Sequence, residues 1–162
     1  MATILVIEDE VDLRKNLVDL LEFGKHTVLV AENGVEGVKV AQNTPIDLIL
    51  SDIMMPEMDG YGVFIELSQS PETSRIPFIF LTALSAKEDI RKGMALGADD
   101  YLTKPFTYKE VLQAVQTRLD RHAQNEKYST QQMEHVRQYI NLVFPHELRT
   151  PLNGIIGLAE LL

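Results

Sequence analysis

At 162 residues and 45% apolar composition, the chain is long enough for one domain of roughly 100–150 residues plus an appendage. Its 24 acidic against 15 basic residues leave a net charge of -9, which argues against general nucleic-acid binding, because phosphate contacts need clustered Lys and Arg. Cys is absent, which excludes disulfides and thiolate metal sites, and no run approaches the roughly 18 apolar residues of a membrane helix, so a cytoplasmic setting without a membrane segment is expected.

Two hydrophobic periods alternate along the chain. Thr3-Ile4-Leu5-Val6-Ile7 is a continuously apolar, β-rich run of the kind shown by a strand buried on both faces. It starts so early that no room is left for a signal peptide. Val11 to Phe23 carries apolar residues at 13, 17, 20 and 21, a helical spacing, and Gly24 is expected as its C′ stop. Residues 27–31 read as a second strand, and Asn33-Gly34 opens a helix over roughly 35–43. A third strand over 47–51 and a helix over roughly 61–69 follow. Pro77 begins a fourth strand over 77–81, at a position where a missing donor is tolerated. A helix over about 86–96 ends at Gly97, Asp99 to Leu102 is a short fifth strand, and a last helix begins near Thr107.

Strands alternating with helices predict an α/β fold, a doubly wound parallel sheet with helices on both faces. Right-handed crossovers leave few topologies, and the flavodoxin-like (βα)5 order 2-1-3-4-5 is the expected one, with a C-terminal helical extension. Such a fold places its chemistry at the carboxyl ends of the strands. Those ends carry Glu8, Asp9 and Glu10, then Asp52, then Thr82, then Lys104 with Pro105. Carboxylates held close repel one another unless a proton or cation intervenes. A few oxygen ligands with waters retained suit Mg2+. Lys104 adds a fixed positive charge for a dianion, and Thr82 a hydroxyl able to meet a phosphoryl oxygen. Any one of these residues alone reads as a helix cap or a solvated charge; the combination at successive strand ends points to a site.

Four pieces carry a family resemblance: residues 6–10 (Val-Ile-Glu-Asp-Glu), 52–60 (Asp-Ile-Met-Met-Pro-Glu-Met-Asp-Gly), 81–83 (Leu-Thr-Ala) and 101–106 (Tyr-Leu-Thr-Lys-Pro-Phe). With them, residues 3–120 closely resemble response-regulator receiver domains, and a receiver over 1–121 is expected. The resemblance implies that Asp52 is the phosphoacceptor and that Asp9, Asp52 and the Met54 backbone carbonyl ligate Mg2+, with Glu8 reaching the metal through water. It implies that Thr82 and Lys104 contact the phosphoryl group, that the bond between Lys104 and Pro105 is cis, and that Thr82 and Tyr101 form the switch. The implied partner is a phosphodonor histidine kinase or phosphotransfer protein. Met54 and Leu84, both apolar, would flank the path of the hydrolytic water and slow loss of the phosphoryl group.

Beyond the receiver, residues stepping by alternating three and four from Leu112 to Val143 suggest a heptad seam, and 122–143 reads as a helical or coiled-coil linker. The string Phe144-Pro145-His146-Glu147-Leu148-Arg149-Thr150-Pro151-Leu152-Asn153-Gly154 resembles the phosphoacceptor box of sensor histidine kinases, so 144–162 is expected to be an incomplete phosphoacceptor helix. His146 would be a second phosphoacceptor, with Glu147 as its base. Pro145 departs from that pattern, since it removes a helix donor. No Asn-bearing nucleotide box or Gly-rich lid is present, so ATP binding of the kinase type is not expected of this chain. The expected identity is the N-terminal part of a hybrid histidine kinase, with a stand-alone response regulator bearing a dimerising tail as the alternative. Self-association through the apolar stripe of the C-terminal helix is expected. A hydrolase with an aspartyl-phosphate intermediate is disfavoured, because it needs an acid two residues after Asp52, where Met54 stands.

Overall fold

The computed structural model describes residues 1–83, 91, 95 and 100–143, with side-chain surroundings as far as residue 127. The chain divides into two units, Met1–Leu119 and Asp120–Leu162. The elements are β1 (Thr3–Ile7), α1 (Val11–Phe23), β2 (Thr27–Ala31), α2 (Gly34–Asn43), β3 (Leu48–Asp52), α3 (Gly60–Ser68), β4 (Phe78–Ala83), β5 (Asp100–Lys104) and α4 (Tyr108–Val143). All strand pairs are parallel and the sheet order is β2-β1-β3-β4-β5, the flavodoxin-like order expected from the sequence. Of the helix expected over 86–96, the described residues Arg91 and Ala95 are helical.

The doubly apolar strands explain the two-sided core. On β1, Ile4 and Val6 face one way, against Leu17, Leu20 and Leu21 of α1 and Val111 and Val115 of α4. Leu5 and Ile7 face the other way, against Val38 and Ala41 of α2 and Tyr61, Val63 and Leu67 of α3. Each such Val, Leu or Ile side chain taken fully out of water contributes about 1.5–3 kcal/mol. On the α3 face, Phe78 and Phe80 meet edge to face at 4.9 Å, and Tyr61 meets Phe80 at 5.2 Å. Leu112 and Leu119 pack beside Val115 on the opposite face. The first positions of the apparent heptad seam are therefore core positions of the receiver unit, which is why they are apolar.

Two local expectations are corrected. Gly24 does not adopt the left-handed conformation; its φ is -73°, and Lys25 takes that role at φ 68°. The amide of Lys25 donates to the Glu22 carbonyl at 2.9 Å and that of His26 to the Leu21 carbonyl at 3.1 Å, the paired bonds of a Schellman motif. Space beside Gly24 is tight, since a Cβ there would stand 3.1 Å from a Leu112 methyl carbon. The strands also run further than expected at their carboxyl ends. Asp52 pairs with Leu81 and Ala83 with Lys104, so Asp52 and Lys104 close their strands rather than follow them.

The turn from β3 into α3 is tight. Met58 N–H donates to the Pro56 carbonyl at 2.9 Å around Glu57, whose φ is 69°, which makes a γ-turn of positive φ. Gly60 N–H returns to the Ile53 carbonyl at 2.9 Å, and a Cβ at Gly60 would lie 2.4 Å from the Asp52 carbonyl oxygen. Asp59 caps α3 by accepting from Gly62 N–H at 2.8 Å.

In the second unit α4 is helical as far as Val143, and His122 Nε2 lies 3.1 Å from Glu126 Oε1 one turn on. Phe144 to Leu162, including His146 and Glu147, lie outside the described residues, as does Leu84. The apolar stripe expected to drive self-association also lies outside the described side chains. No helix among the described residues is long and apolar enough to cross a membrane.

Candidate functional site

The carboxyl ends of β1, β3 and β5 bring three carboxylates and one ammonium together. Glu8 follows Ile7 directly and is fully buried. Its amide donates to the Ala31 carbonyl at 3.1 Å, which extends the β1–β2 ladder by one rung. Asp52 ends the wholly buried β3 and is 7% exposed. Asp9 is exposed. Carboxylate oxygens of Glu8, Asp9 and Asp52 all lie within 4.8 Å of one another. Lys104 Nζ, from β5, stands 3.3 Å from Asp52 Oδ2 and 3.6 Å from Glu8 Oε1.

The balance of charge is unfavourable without a further positive group. At an effective dielectric of about 20, like charges nearly 5 Å apart repel by roughly 3–4 kcal/mol. Burial, followed by the charge of Asp52, pushes the Glu8 carboxyl up from 4.5 to about 8, and the neighbouring Lys104 offsets this only in part. Among the described residues, no donor hydrogen-bonds either Glu8 carboxylate oxygen. A proton held between Glu8 and Asp52 would supply one such bond. A cation would serve both oxygens and the neighbouring carboxylates. Buried, unsatisfied carboxylate oxygens in an all-oxygen donor set match what a hard divalent ion requires.

The remaining residues named from the sequence fall nearby in the sheet. Thr82 is buried near the end of β4, one residue beyond Leu81, the register partner of Asp52. Its hydroxyl lies 3.4 Å from the Ala83 carbonyl oxygen, beyond the usual range for O–H···O bonds. Tyr101 pairs in register with Phe80, is half-buried against the α2–α3 side of the core, and donates its amide to Asp100 Oδ1 at 2.9 Å. The Lys104–Pro105 peptide is cis. Met54 follows β3 and its side chain is exposed. His26 is half-buried, and its Nδ1 accepts from the Ala2 amide at 3.3 Å.

Sequence reasoning missed Arg14. Its Nη1 donates to the Glu8 carbonyl at 2.8 Å and its Nη2 lies 3.6 Å from Glu32 Oε1. An Arg on the second turn of an amphipathic helix looks like any surface cation. Its placement three residues before the core residue Leu17 was the available signal, since that holds it close to the sheet rim. The pair of Arg118 and Asp100, at 3.3 Å, was also missed, being 18 residues apart in sequence.

Comparison with known proteins places this geometry. Residues 4–116 match the family model described as "Response regulator receiver domain". The DNA-binding dual master transcriptional regulator RpaA of Synechocystis is 38% identical over 132 residues, covering 80% of this chain and 55% of its own length. Further curated relatives at 40–42% identity are also named as transcriptional regulators, and the chain spans about half the length of the curated relatives it matches. Among solved structures, the receiver domain of a signal transduction histidine kinase from Syntrophus aciditrophicus is 36% identical with a TM-score of 0.69, covering 74% of this chain and 91% of that one. The receiver domain of a sensor histidine kinase from Pseudomonas aeruginosa, described with a magnesium ion coordinated in the active site cleft, is 28% identical with a TM-score of 0.69 and coverages of 74% and 98%. The five-stranded parallel sheet with an acidic cluster at its carboxyl rim is the architecture of these receiver domains. This chain belongs to the response-regulator receiver domain family, and it is the receiver of a two-component system.

Proposed function

We propose that the chain accepts a phosphoryl group on Asp52 from a phosphohistidine donor and passes the change to an attached output. The carrying observation is Lys104 Nζ at 3.3 Å from Asp52 Oδ2, beside the carboxylates of Glu8 and Asp9. Asp52 supplies the attacking oxygen, the donor's bond to phosphorus breaks, and an acyl phosphate forms. Lys104 neutralises the charge that spreads over the equatorial oxygens. Mg2+ would be held by Asp9, Asp52 and the Met54 carbonyl, with Glu8 engaged through water. When bound it supplies positive charge to the same oxygens. Thr82 meets a phosphoryl oxygen, and Tyr101 moves in response. Amide shifts on adding beryllofluoride with Mg2+, a phosphoryl mimic, test this reading. Changes at Asp52, Thr82 and Tyr101 that vanish in Asp52→Asn support it; an unchanged spectrum counts against it.

The curated relatives being transcriptional regulators, a response regulator fits better than the hybrid kinase expected from the sequence. The charge argument against nucleic acid concerns this chain's own residues, so DNA contact by a regulator of this kind would fall to another part of the protein. A hybrid kinase is kept as the second reading on the strength of residues 144–154 alone. The reading frame beyond Leu162 decides: a DNA-binding domain supports the first, a nucleotide-binding domain the second.

A further inference from the structure

Glu8 ends the ladder on its amide side, bonding to Ala31, while its carbonyl oxygen at the strand end takes Arg14. The peptide before Glu8 is thus set by β2, and the peptide joining Glu8 to Asp9 is held at its carbonyl by the guanidinium, which reaches it from α1 at 2.8 Å. Glu8 is held by burial in any case. The exposed Asp9 carboxylate has no such packing, so the direction it takes depends on the backbone before it. Arg14 Nη2 lies 3.6 Å from Glu32 Oε1 in the turn after β2. That turn is itself tied: Glu32 N–H donates to Glu36 Oε2 at 3.3 Å, and Asn33 Oδ1 accepts from Glu36 N–H at 2.9 Å. The planar fork therefore bridges two strand-end turns, a geometry that one ammonium cannot reproduce.

We propose that Arg14 is a positioning residue for the acidic metal site: by fixing the peptide between Glu8 and Asp9 against the β2–α2 turn, it aims the Asp9 carboxylate at the cation. The Glu32 side chain is 69% exposed, so the ion pair adds little to stability. Its effect is on the aim of the guanidinium, and it also screens the metal site from a positive charge that would oppose cation binding. This inference rests on the metal-site reading above.

The test is Mg2+ titration by calorimetry on the whole chain, with phosphorylation by a small phosphodonor followed in parallel. Arg14→Met should raise the Mg2+ dissociation constant about tenfold. The phosphorylation rate at saturating Mg2+ should fall less than twofold, a split that general loss of structure would not produce. Arg14→Lys, able to make one of the two contacts, should raise the dissociation constant about threefold, and it decides the matter if the Met variant fails to fold. Wild-type Mg2+ affinity in a folded Arg14→Met or in Arg14→Lys overturns the role of Arg14 and leaves the site reading standing. Absence of Mg2+ binding by the wild type overturns both.

Discussion

Lys104 and Asp52 stand 3.3 Å apart, although they come from β5 and β3, two strands separated by the whole of β4. The two strand ends are staggered by two residues along β4, since Asp52 pairs with Leu81 and Lys104 with Ala83, and the long Lys104 side chain spans the offset back to the carboxylate. The Lys104 side chain remains 28% exposed, so it can meet both the carboxylate and an incoming dianion.

Removing that charge should therefore affect chemistry more than fold. Lys104→Met is expected to slow phosphoryl acceptance by at least about tenfold, equivalent to ~1.4 kcal/mol of transition-state stabilisation. Stopped-time labelling with a small phosphodonor reads this directly. An unchanged rate would remove Lys104 from the reaction.

Glu8 makes the metal-free protein pH-sensitive. Its native value of about 8 lies above the ordinary 4.5, so the native state holds a proton that the unfolded chain has released between those values. This contribution to stability is fully present below 4.5 and is lost as pH rises through about 8. Without metal, the melting temperature should fall by several degrees between about pH 5 and pH 8.5, and Glu8→Gln should flatten that slope. Mg2+ should restore stability at the higher pH by binding the ionised native state. A metal-free profile that rises over this range would contradict the burial of an uncompensated Glu8.

Gly60→Ala tests the close approach of α3 to the phosphoacceptor strand. The new methyl would lie 2.4 Å from the Asp52 carbonyl oxygen, so backbone must move. Destabilisation of about 1–3 kcal/mol is expected from overpacking of this kind, measured by denaturant unfolding. A neutral effect would mean that the β3–α3 turn is looser than described.

The lifetime of the phosphorylated state should respond to Met54, whose exposed, apolar side chain cannot orient a water. Met54→Asn is expected to speed dephosphorylation by about tenfold, which requires only ~1.4 kcal/mol. Equal decay of variant and wild type would leave Met54 without a kinetic role.

Much of this architecture was legible in the residue pattern, for physical reasons. A strand buried on both faces must be continuously apolar, so Thr3–Ile7 declared itself, and the 13, 17, 20, 21 spacing located α1 over its observed Val11–Phe23. Parallel strands joined by helices then constrained the order, and the order brought Glu8, Asp9, Asp52 and Lys104 to one rim. What the pattern hid depends on three-dimensional closeness without a periodic signature. Lys25 rather than Gly24 takes the left-handed turn, a one-residue shift of the helix end that residue types alone do not mark. Arg14 and Arg118 look like surface charges until the sheet brings Glu8 and Asp100 to them. Leu112 and Val115 read as a coil seam only while the sheet beneath them is out of view.

The central claim is that Asp52 receives the phosphoryl group, and intact mass after incubation with a small phosphodonor and Mg2+ tests it most directly. The account predicts one added phosphoryl group on the wild type, none without Mg2+, and none on Asp52→Asn. Equal labelling of Asp52→Asn, or a wild type that stays unlabelled while folded and Mg2+-bound, would contradict it.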